Sequence, residues 1–298
     1  MNKVIITSYQ NVDLDGFSSS LAYHEYLKHK NIISKVRFHG KPHREVDIIS
    51  KKYNIKYILD NYNDYHDKDI ILVDHSSPSH ISPHINLINI KYILDHRRIH
   101  EAHKFSNAKV HIEKVGSCAT LVTEKFIKIN KNPSKICANL LYTTIMSNTL
   151  KLKANVTTTR DIKAVTFLKN IISIDEKNID EFFIEKSIIN DIDEAIEEEY
   201  AIFEDLEVGF AQIEIADTEK FLKKNKQRIL NKLNLLKERE NVRYSLLNLV
   251  DIIKGTHIIV TESEFIQDKL KKKNFKFYNK QTKESKALFR KEIITFLK

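Results

Sequence analysis

Five short stretches of this chain are read as lying where β-strands end: residues 9–16, 71–75, 93–97, 115–120 and 146–150. Most carry acidic or imidazole side chains there. The first three follow β-rich apolar runs, Val4-Ile5-Ile6, Ile70-Ile71-Leu72-Val73 and Tyr92-Ile93-Leu94. In an open parallel sheet the carboxyl ends of the strands line one crevice, where ligands bind. Asp13, Asp15, Asp74 and His96 are therefore expected to converge. Hard carboxylate oxygens with one imidazole suit Mn²⁺ or Mg²⁺, singly or as a pair. Asp13 and Asp15 straddle one residue, so in an extended loop both face one way and can reach a two-metal site. The alternative for such a D-x-D is a carboxylate that caps a helix.

These residues need a scaffold, and the chain patterns one. Residues 1–180 alternate strand-like runs with helical patterns, the signature of βαβ units. Gly16 opens a predicted helix over 17–30. Thr158 and Asp161 are spaced as a capping box before the apolar pattern of Ile162, Val165, Phe167 and Leu168. Residues 176–207 are strongly acidic, with Ile188, Ile189, Ile192 and Ile196 forming a helical stripe, and read as a helix with a solvated face. Beyond it, 210–215 alternates like a strand, 221–238 reads as a helix, and 245–252 with 257–260 reads as paired buried strands. The expectation is an α/β protein: a metal-binding domain over 1–187 with a mostly parallel sheet flanked by helices, an acidic linker helix over 188–207, and a smaller α/β domain over 208–298.

Composition narrows the class. At 298 residues the chain has room for two cores. Hydrophobic residues at 42% and charged residues at 30% are ordinary for a soluble globular protein. The apolar runs fall far short of the roughly 20 residues a membrane helix needs. The N-terminus enters a strand directly, without a signal-peptide pattern. Cys118 and Cys137 supply no disulfide framework. A cytoplasmic location fits best. The net charge of +9 invites a nucleic-acid reading. The abundance of Lys, Asn and Ile beside few Gly and Pro points instead to an AT-rich genome, so nucleic acid is not the favoured partner. The basic tail over 269–298 keeps a single-strand exonuclease as a distant alternative.

The order of Asp13-Leu14-Asp15, Val73-Asp74-His75, Asp95-His96-Arg97 and Val115-Gly116-Ser117 resembles the DHH phosphoesterase superfamily. The branch it looks most like holds the family II inorganic pyrophosphatases and the Prune-type exopolyphosphatases. Ala211-Gln212-Ile213-Glu214 and Phe289-Arg290-Lys291-Glu292-Ile293-Ile294 extend the likeness over nearly the whole chain. The other large branch ends in a GGGH motif, which a chain with five glycines and no adjacent pair cannot supply. The resemblance implies that Asp13 and Asp15 bind separate metals, that Asp74 bridges them and that His96 is a further ligand. His75 would support the site from behind or touch substrate. Arg290 and Lys291 would hold phosphate. Gly116 and Ser117 would form a tight turn before a helix. Domain closure over a small anionic phosphate substrate is implied, and a homodimer.

Four departures accompany the likeness. Tyr9 stands where the pyrophosphatases have a metal-binding histidine, and Asn148 where they have a metal-binding aspartate. Arg97 replaces the second histidine of the triplet, the general acid. The stretch 194–210 lacks a phosphate-binding lysine. Asn148 offers only a neutral oxygen, and tyrosine is a poor ligand unless ionised. Arg97 cannot give up a proton at neutral pH, yet it can clamp phosphate and stabilise charge, so it stays a candidate catalytic residue with Arg290 and Lys291. Prune-type proteins share D-H-R and D-L-D. The expected function is a metal-dependent phosphohydrolase of pyrophosphate, short polyphosphate or a nucleotide, holding one or two Mn²⁺ or Mg²⁺ ions. The alternative is a non-catalytic relative that binds an anionic ligand or a protein partner.

The remaining histidines, His24, His29, His39, His43, His66, His80, His84, His100, His103, His111 and His257, read as surface or loop residues. His43-Arg44-Glu45 looks like an asparagine-arginine-glutamate element of the family. His100 and His103 are near enough to the third motif to replace lost ligands.

Overall fold

A computed structural model describes residues 4–61, 64–65, 67–97, 100–172, 176–283 and 285–298. The chain divides into two units, Met1–Leu152 with Val156–Phe182, and Lys153–Asn155 with Phe183–Lys298.

The first unit alternates strand and helix. It runs β1 (Val4–Thr7), α1 (Leu14–His29), β2 (Ser34–Val36), α2 (Arg44–Tyr53), β3 (Asp69–Val73), β4 (Ile90–Asp95), β5 (Lys109–Ile112), α3 (Cys118–Lys128), α4 (Lys135–Asn148) and α5 (Thr159–Lys169). Among the described residues the strands form one parallel sheet in the order β2-β1-β3-β4-β5. The chain leaves β1 toward β2 on one side and returns to β3 on the other, so the strand order reverses at β1 and β3. That reversal is where open α/β sheets build ligand crevices. The central strands β1 and β3 are apolar on both faces because both faces are covered, whereas the edge strands β2 and β5 are partly exposed. Ile5, Ile70, Leu72, Ile90 and Ile93 pack with Tyr65, Ile85 and Phe105 on one side, while α1 packs against α3 and α4.

The capping box at Thr158 and Asp161 is present and starts α5. The helix expected over 17–30 begins three residues earlier, because Asp13 caps it. The fifth stretch, 146–150, does not follow a strand. Met146, Ser147 and Asn148 end α4, and the chain then turns through Leu150, Lys151 and Leu152, all with positive φ. α4 is buried on most sides, so its sequence carries little helical alternation, and a short apolar run cannot be assigned by period alone.

The second unit contains a mixed sheet. α6 (Glu176–Lys186) spans the division, and α7 (Ile192–Glu198) opens the second unit. There follow β6 (Tyr200–Phe203), β7 (Val208–Ile215), α8 (Thr218–Arg239), β8 (Tyr244–Asp251), β9 (Thr256–Val260), α9 (Glu264–Lys271), β10 (Phe277–Tyr278), β11 (Gln281–Thr282), β12 (Ser285–Lys286) and α10 (Arg290–Ile293). The stretch 188–207 is not one linker helix. Asp191 caps α7, the acidic run closes it, and the β-prone Tyr200-Ala201-Ile202-Phe203 pairs antiparallel with β7. Alternation assigns the faces: Ala211, Ile213, Ile215, Leu247 and Leu249 meet α8 through Leu222, Ile229, Leu230 and Leu233. Val208, Phe210, Leu246 and Ile259 meet α9 and the C-terminal helical turns. Among the described residues no helix is long and apolar enough to cross a membrane.

His257 is a correction to the sequence reading. It lies within β9 and is fully buried, with Nδ1 3.0 Å from Asn248 Oδ1 and Nε2 without a hydrogen-bond partner. Asn248 Nδ2 donates to the Leu288 carbonyl at 2.8 Å, which leaves its oxygen to accept from a neutral imidazole. Burial pushes the His257 pKa down from 6.5 to about 4. Above pH 6.5 neither folded nor unfolded chain carries this proton. As pH falls from 6.5 toward 4 only the unfolded chain takes it up, so stability is lost over that window. At about 1.4 kcal/mol per pH unit the loss is roughly 3 kcal/mol. His257→Asn keeps a donor for Asn248 and cannot titrate. Urea unfolding between pH 7 and 4.5 is expected to show a shallower decline for this variant than for the native chain; equal slopes would contradict the assignment.

Candidate metal centre

The site forms where β1, β3 and β4 end, beside the first turns of α1 and α3. Asp13 caps α1, its Oδ1 accepting from Gly16 N at 2.9 Å. Glu45 Oε1 accepts from Leu14 N at 2.9 Å, so the element His43-Arg44-Glu45 pins the same turn. A Cβ on Gly16 would lie 2.4 Å from Ser8 Oγ and 2.7 Å from Val12 Cγ2, so only glycine lets the helix start this close to the end of β1.

Asp15, in the first turn of α1, is buried and held on both oxygens. Oδ2 accepts from Cys118 N at 2.8 Å and Asn148 Nδ2 at 2.6 Å; Oδ1 accepts from Ala119 N at 3.0 Å and Ser19 Oγ at 3.1 Å. The two backbone donors are the first turn of α3, which Ser117 caps, so the carboxylate sits at the positive end of that helix. Asp161 positions this helix: both its oxygens accept from Gly116 N at 3.0 Å, and Oδ1 also accepts from Thr120 Oγ1 at 2.6 Å. A Cβ on Gly116 would meet Thr149 Cγ2 at 2.6 Å.

Asp74 directly follows β3 in the left-handed region, φ 59°, which aspartate tolerates better than most residues. Its N–H donates to the Leu94 carbonyl at 2.7 Å, which fixes the turn. At the end of β4, Asp95 accepts from Ser76 Oγ, from His96 N at 2.7 Å and from Arg97 N at 3.3 Å. His96 Nδ1 lies 3.0 Å from the Val115 carbonyl. That carbonyl takes the Nδ1 proton, so Nε2 faces Asp74 Oδ1 at 3.3 Å and Asp15 Oδ2 at 3.6 Å.

Asp15, Asp74 and His96 thus offer ligand atoms all within 4.8 Å of one another. Asp74 Oδ1 is buried and accepts no hydrogen bond of good geometry, an oxygen left over for a cation. Burial, then the charge of Asp74, raises the Asp15 pKa to about 7. Burial would lower His96, but Asp74 and then Asp15 outweigh it and hold the imidazole at about 9. Without a metal, an imidazolium proton therefore balances the two carboxylates.

Arg97 borders this cluster. Nη2 is 3.7 Å from Asp74 Oδ2, Nε 3.8 Å from Asp95 Oδ1 and Nη1 3.5 Å from His75 Nδ1, with Cζ 5.1 Å from the Tyr9 ring centroid. His75 is buried, its Nε2 donating to the Ser79 carbonyl at 2.8 Å; burial and then the Arg97 charge press its pKa to about 4. Tyr9 gives its hydroxyl to Asp13, and burial with the Asp13 and Asp74 charges raises its pKa far above the ordinary value. Tyr9 is therefore a neutral phenol.

Residues 3–145 match the model of the DHH family, N-terminal domain. Over that stretch, just under half of the chain, the sequence is similar to the DHH family. It is similar over 269 residues, at 29% identity, to a probable manganese-dependent inorganic pyrophosphatase of Clostridium acetobutylicum, covering 88% of this chain and 86% of that one. Other bacterial relatives of the same description are matched over 37–58% of their own length. Among solved structures, a candidate family II inorganic pyrophosphatase of Methanococcus jannaschii superposes with a TM-score of 0.75 at 22% identity, covering 99% of this chain and 98% of that one. An exopolyphosphatase-related protein of Bacteroides fragilis superposes with a TM-score of 0.53 at 15% identity, covering 99% and 90%. These two likenesses concern the fold.

The residues expected at the site are distributed as follows. Asp15, Asp74 and His96 come together; Asp13 lies beside them as a helix cap, close enough to Asp15 for its charge to be felt there. Asn148 reaches the cluster with its amide nitrogen toward Asp15. His100 and His103 are exposed and, among the described residues, do not join the metal-ligating group. His66 lies outside the described residues. Arg290 and Lys291 belong to the second unit, on α10. The Arg290 guanidinium donates to the Phe210 carbonyl at 3.0 Å and to the Glu199 carbonyl, and its backbone N–H donates to Gln212 Oε1 at 2.6 Å, so it ties α10 to the sheet. Lys291 is exposed on the same helix. Sequence reasoning missed the roles of Asp95 and Asp161 in holding the site. Asp161 was visible only as a capping residue, and its reach across 45 residues to Gly116 left no local signal.

Proposed function

We propose that this protein is a metal-dependent phosphohydrolase acting on a small phosphoanhydride, with pyrophosphate or short polyphosphate as the substrate class. The observation that carries the reading is the convergence of Asp15, Asp74 and His96 around a buried, unsatisfied carboxylate oxygen. Two carboxylates and one imidazole fit Mn²⁺ or Mg²⁺. The printed descriptions of the relatives, manganese-dependent inorganic pyrophosphatases, support both metal and substrate class. When bound, such an ion supplies Lewis acidity at a phosphoryl oxygen and makes water nucleophilic at neutral pH.

The chain's own residues do the rest. Val115 orients the His96 ring, Asn148 and α3 orient Asp15, and Asp95 orients the turn that carries His96 and Arg97. Arg97, its side chain 26% exposed, keeps donors free to face a phosphate oxygen and stabilise charge building there. It cannot act as a general acid at neutral pH, so the leaving group would have to draw its proton from water. The neutral amide at Asn148 favours a second reading, a site that binds a metal and an anion without turnover.

Purified protein supplied with Mn²⁺, Mg²⁺ or Co²⁺ is expected to release phosphate from pyrophosphate or tripolyphosphate, and EDTA to stop it. Metal and pyrophosphate binding without phosphate release from either substrate, or from nucleoside polyphosphates, would overturn the proposal in favour of the second reading.

A further inference from the structure

The outer oxygen of Asp74, Oδ2, is where a second divalent cation would sit if Asp74 bridged a pair. Such a position needs ligands from the end of β1, and the structure offers Tyr9 and Asp13 there. They do not fit the role. Tyr9 is a phenol that spends its hydroxyl on Asp13 and lies under the Arg97 guanidinium, and a phenol is a poorer metal donor than an imidazole. Asp13 spends one oxygen on Gly16 N as the cap of α1.

The space beside Oδ2 holds a cation of a different kind. The Arg97 guanidinium approaches Asp74 Oδ2 at 3.7 Å and Asp95 Oδ1 at 3.8 Å, donates toward His75 Nδ1 at 3.5 Å and lies over the Tyr9 ring at 5.1 Å. The His75 nitrogen is free to accept because the other ring nitrogen donates to the Ser79 carbonyl. Two carboxylates, one imidazole lone pair and one aromatic face surround the planar cation, a complementary seat for guanidinium. Tyr9 and Arg97 are thus matched: a histidine in place of Tyr9 would ligate a metal but would remove the ring beneath the guanidinium.

We propose that Arg97 stands in for a second metal: the site takes a single divalent cation on Asp15, Asp74 and His96, and the guanidinium seated on Tyr9, His75 and Asp95 is the fixed positive charge on the other oxygen of Asp74. This rests on the reading above that the three-residue cluster binds a metal. Asp74 then bridges a metal and an arginine. Of the three positive charges at Asp74, two on the cation and one on Arg97, the one on Arg97 is built into the chain and cannot be removed by a chelator.

The test counts metal directly. The full-length chain, loaded with Mn²⁺ at pH 7.5 and dialysed, is analysed by mass spectrometry and by electron paramagnetic resonance. One Mn²⁺ per chain with an uncoupled six-line spectrum is expected. The Tyr9→His/Arg97→Ala double variant is expected to take up a second Mn²⁺ and to show a spin-coupled spectrum. Two coupled ions in the native chain would overturn the inference while leaving the metal-dependent reading intact. No Mn²⁺ bound at millimolar concentration would overturn both. A double variant that folds, by circular dichroism, but still holds one ion would show that Tyr9 and Arg97 do not exclude the second. The native count needs no variant, so the inference is decided even where the double variant fails to fold.

Discussion

Asp74→Asn is expected to cost the site at least about 100-fold in Mn²⁺ affinity, and phosphate release with it, while the fold survives. Loss of a group that merely supports a ligand costs about 10–100-fold, and Asp74 is a ligand candidate itself, with one oxygen toward His96 and the other toward Arg97. Asparagine has nearly the same shape and tolerates the left-handed backbone that position 74 requires. The backbone bond to Leu94 is untouched. Removing a buried carboxylate relieves its desolvation, which weighs against the lost partner of Arg97, and Arg97 retains Asp95. Calorimetric titration with Mn²⁺ and thermal melting in EDTA separate the two effects. Native-like affinity, within about threefold, would remove Asp74 from the ligand set; a collapsed melting temperature in EDTA would show that the carboxylate is structural instead.

The parts of this site that the sequence reveals are those with a local cause. A carboxylate or imidazole directly after an apolar strand run, or in the short loop that leads from it into the next helix, lies at the mouth of a parallel sheet; the first case places Asp74 and His96, the second Asp13 and Asp15. The capping box at Thr158 is legible because its two partners are three residues apart. What stays hidden is long-range. Asp15 accepts from Cys118 N across 103 residues and from Asn148 across 133, and no window of sequence contains both ends. Asn148 could be aligned with a metal-binding aspartate, but its amide donating toward Asp15 depends on how α4 packs against α1. His257 reads as a surface or loop residue by its type, although it opens the run 257–260 expected as a buried strand; β9 lies inside its sheet, and strand register buries the imidazole with it. Arg290 carries the right charge for phosphate, but the backbone carbonyls of Phe210 and Glu199 claim its guanidinium.

Asn148→Asp is expected to move the metal-free and metal-loaded chains in opposite directions. In the native chain the amide donates to Asp15 Oδ2 at 2.6 Å, so it helps to hold a buried carboxylate that burial and Asp74 already raise to about 7. An aspartate there removes the donor and places a second acceptor against Asp15. Losing a hydrogen bond to a charged group and adding like charge costs on the order of 2 kcal/mol in the absence of metal. With Mn²⁺ present the same carboxylate becomes an anionic ligand beside Asp15, Asp74 and His96, and a gain of about 10–100-fold in affinity is expected by the reverse of the usual loss. Tighter binding to the folded chain adds about 1.4 kcal/mol of stability for each tenfold. Melting in EDTA should therefore fall below the native chain, and the increment on adding Mn²⁺ should exceed the native one. An unchanged increment would mean that position 148 faces away from the metal. A native-like melt in EDTA would mean that the Asn148 amide contributes nothing to holding Asp15. Because the two measurements use one variant and differ only in the ion, a general folding defect lowers both melts and leaves the increment as it was, whereas a ligand gained at position 148 widens it.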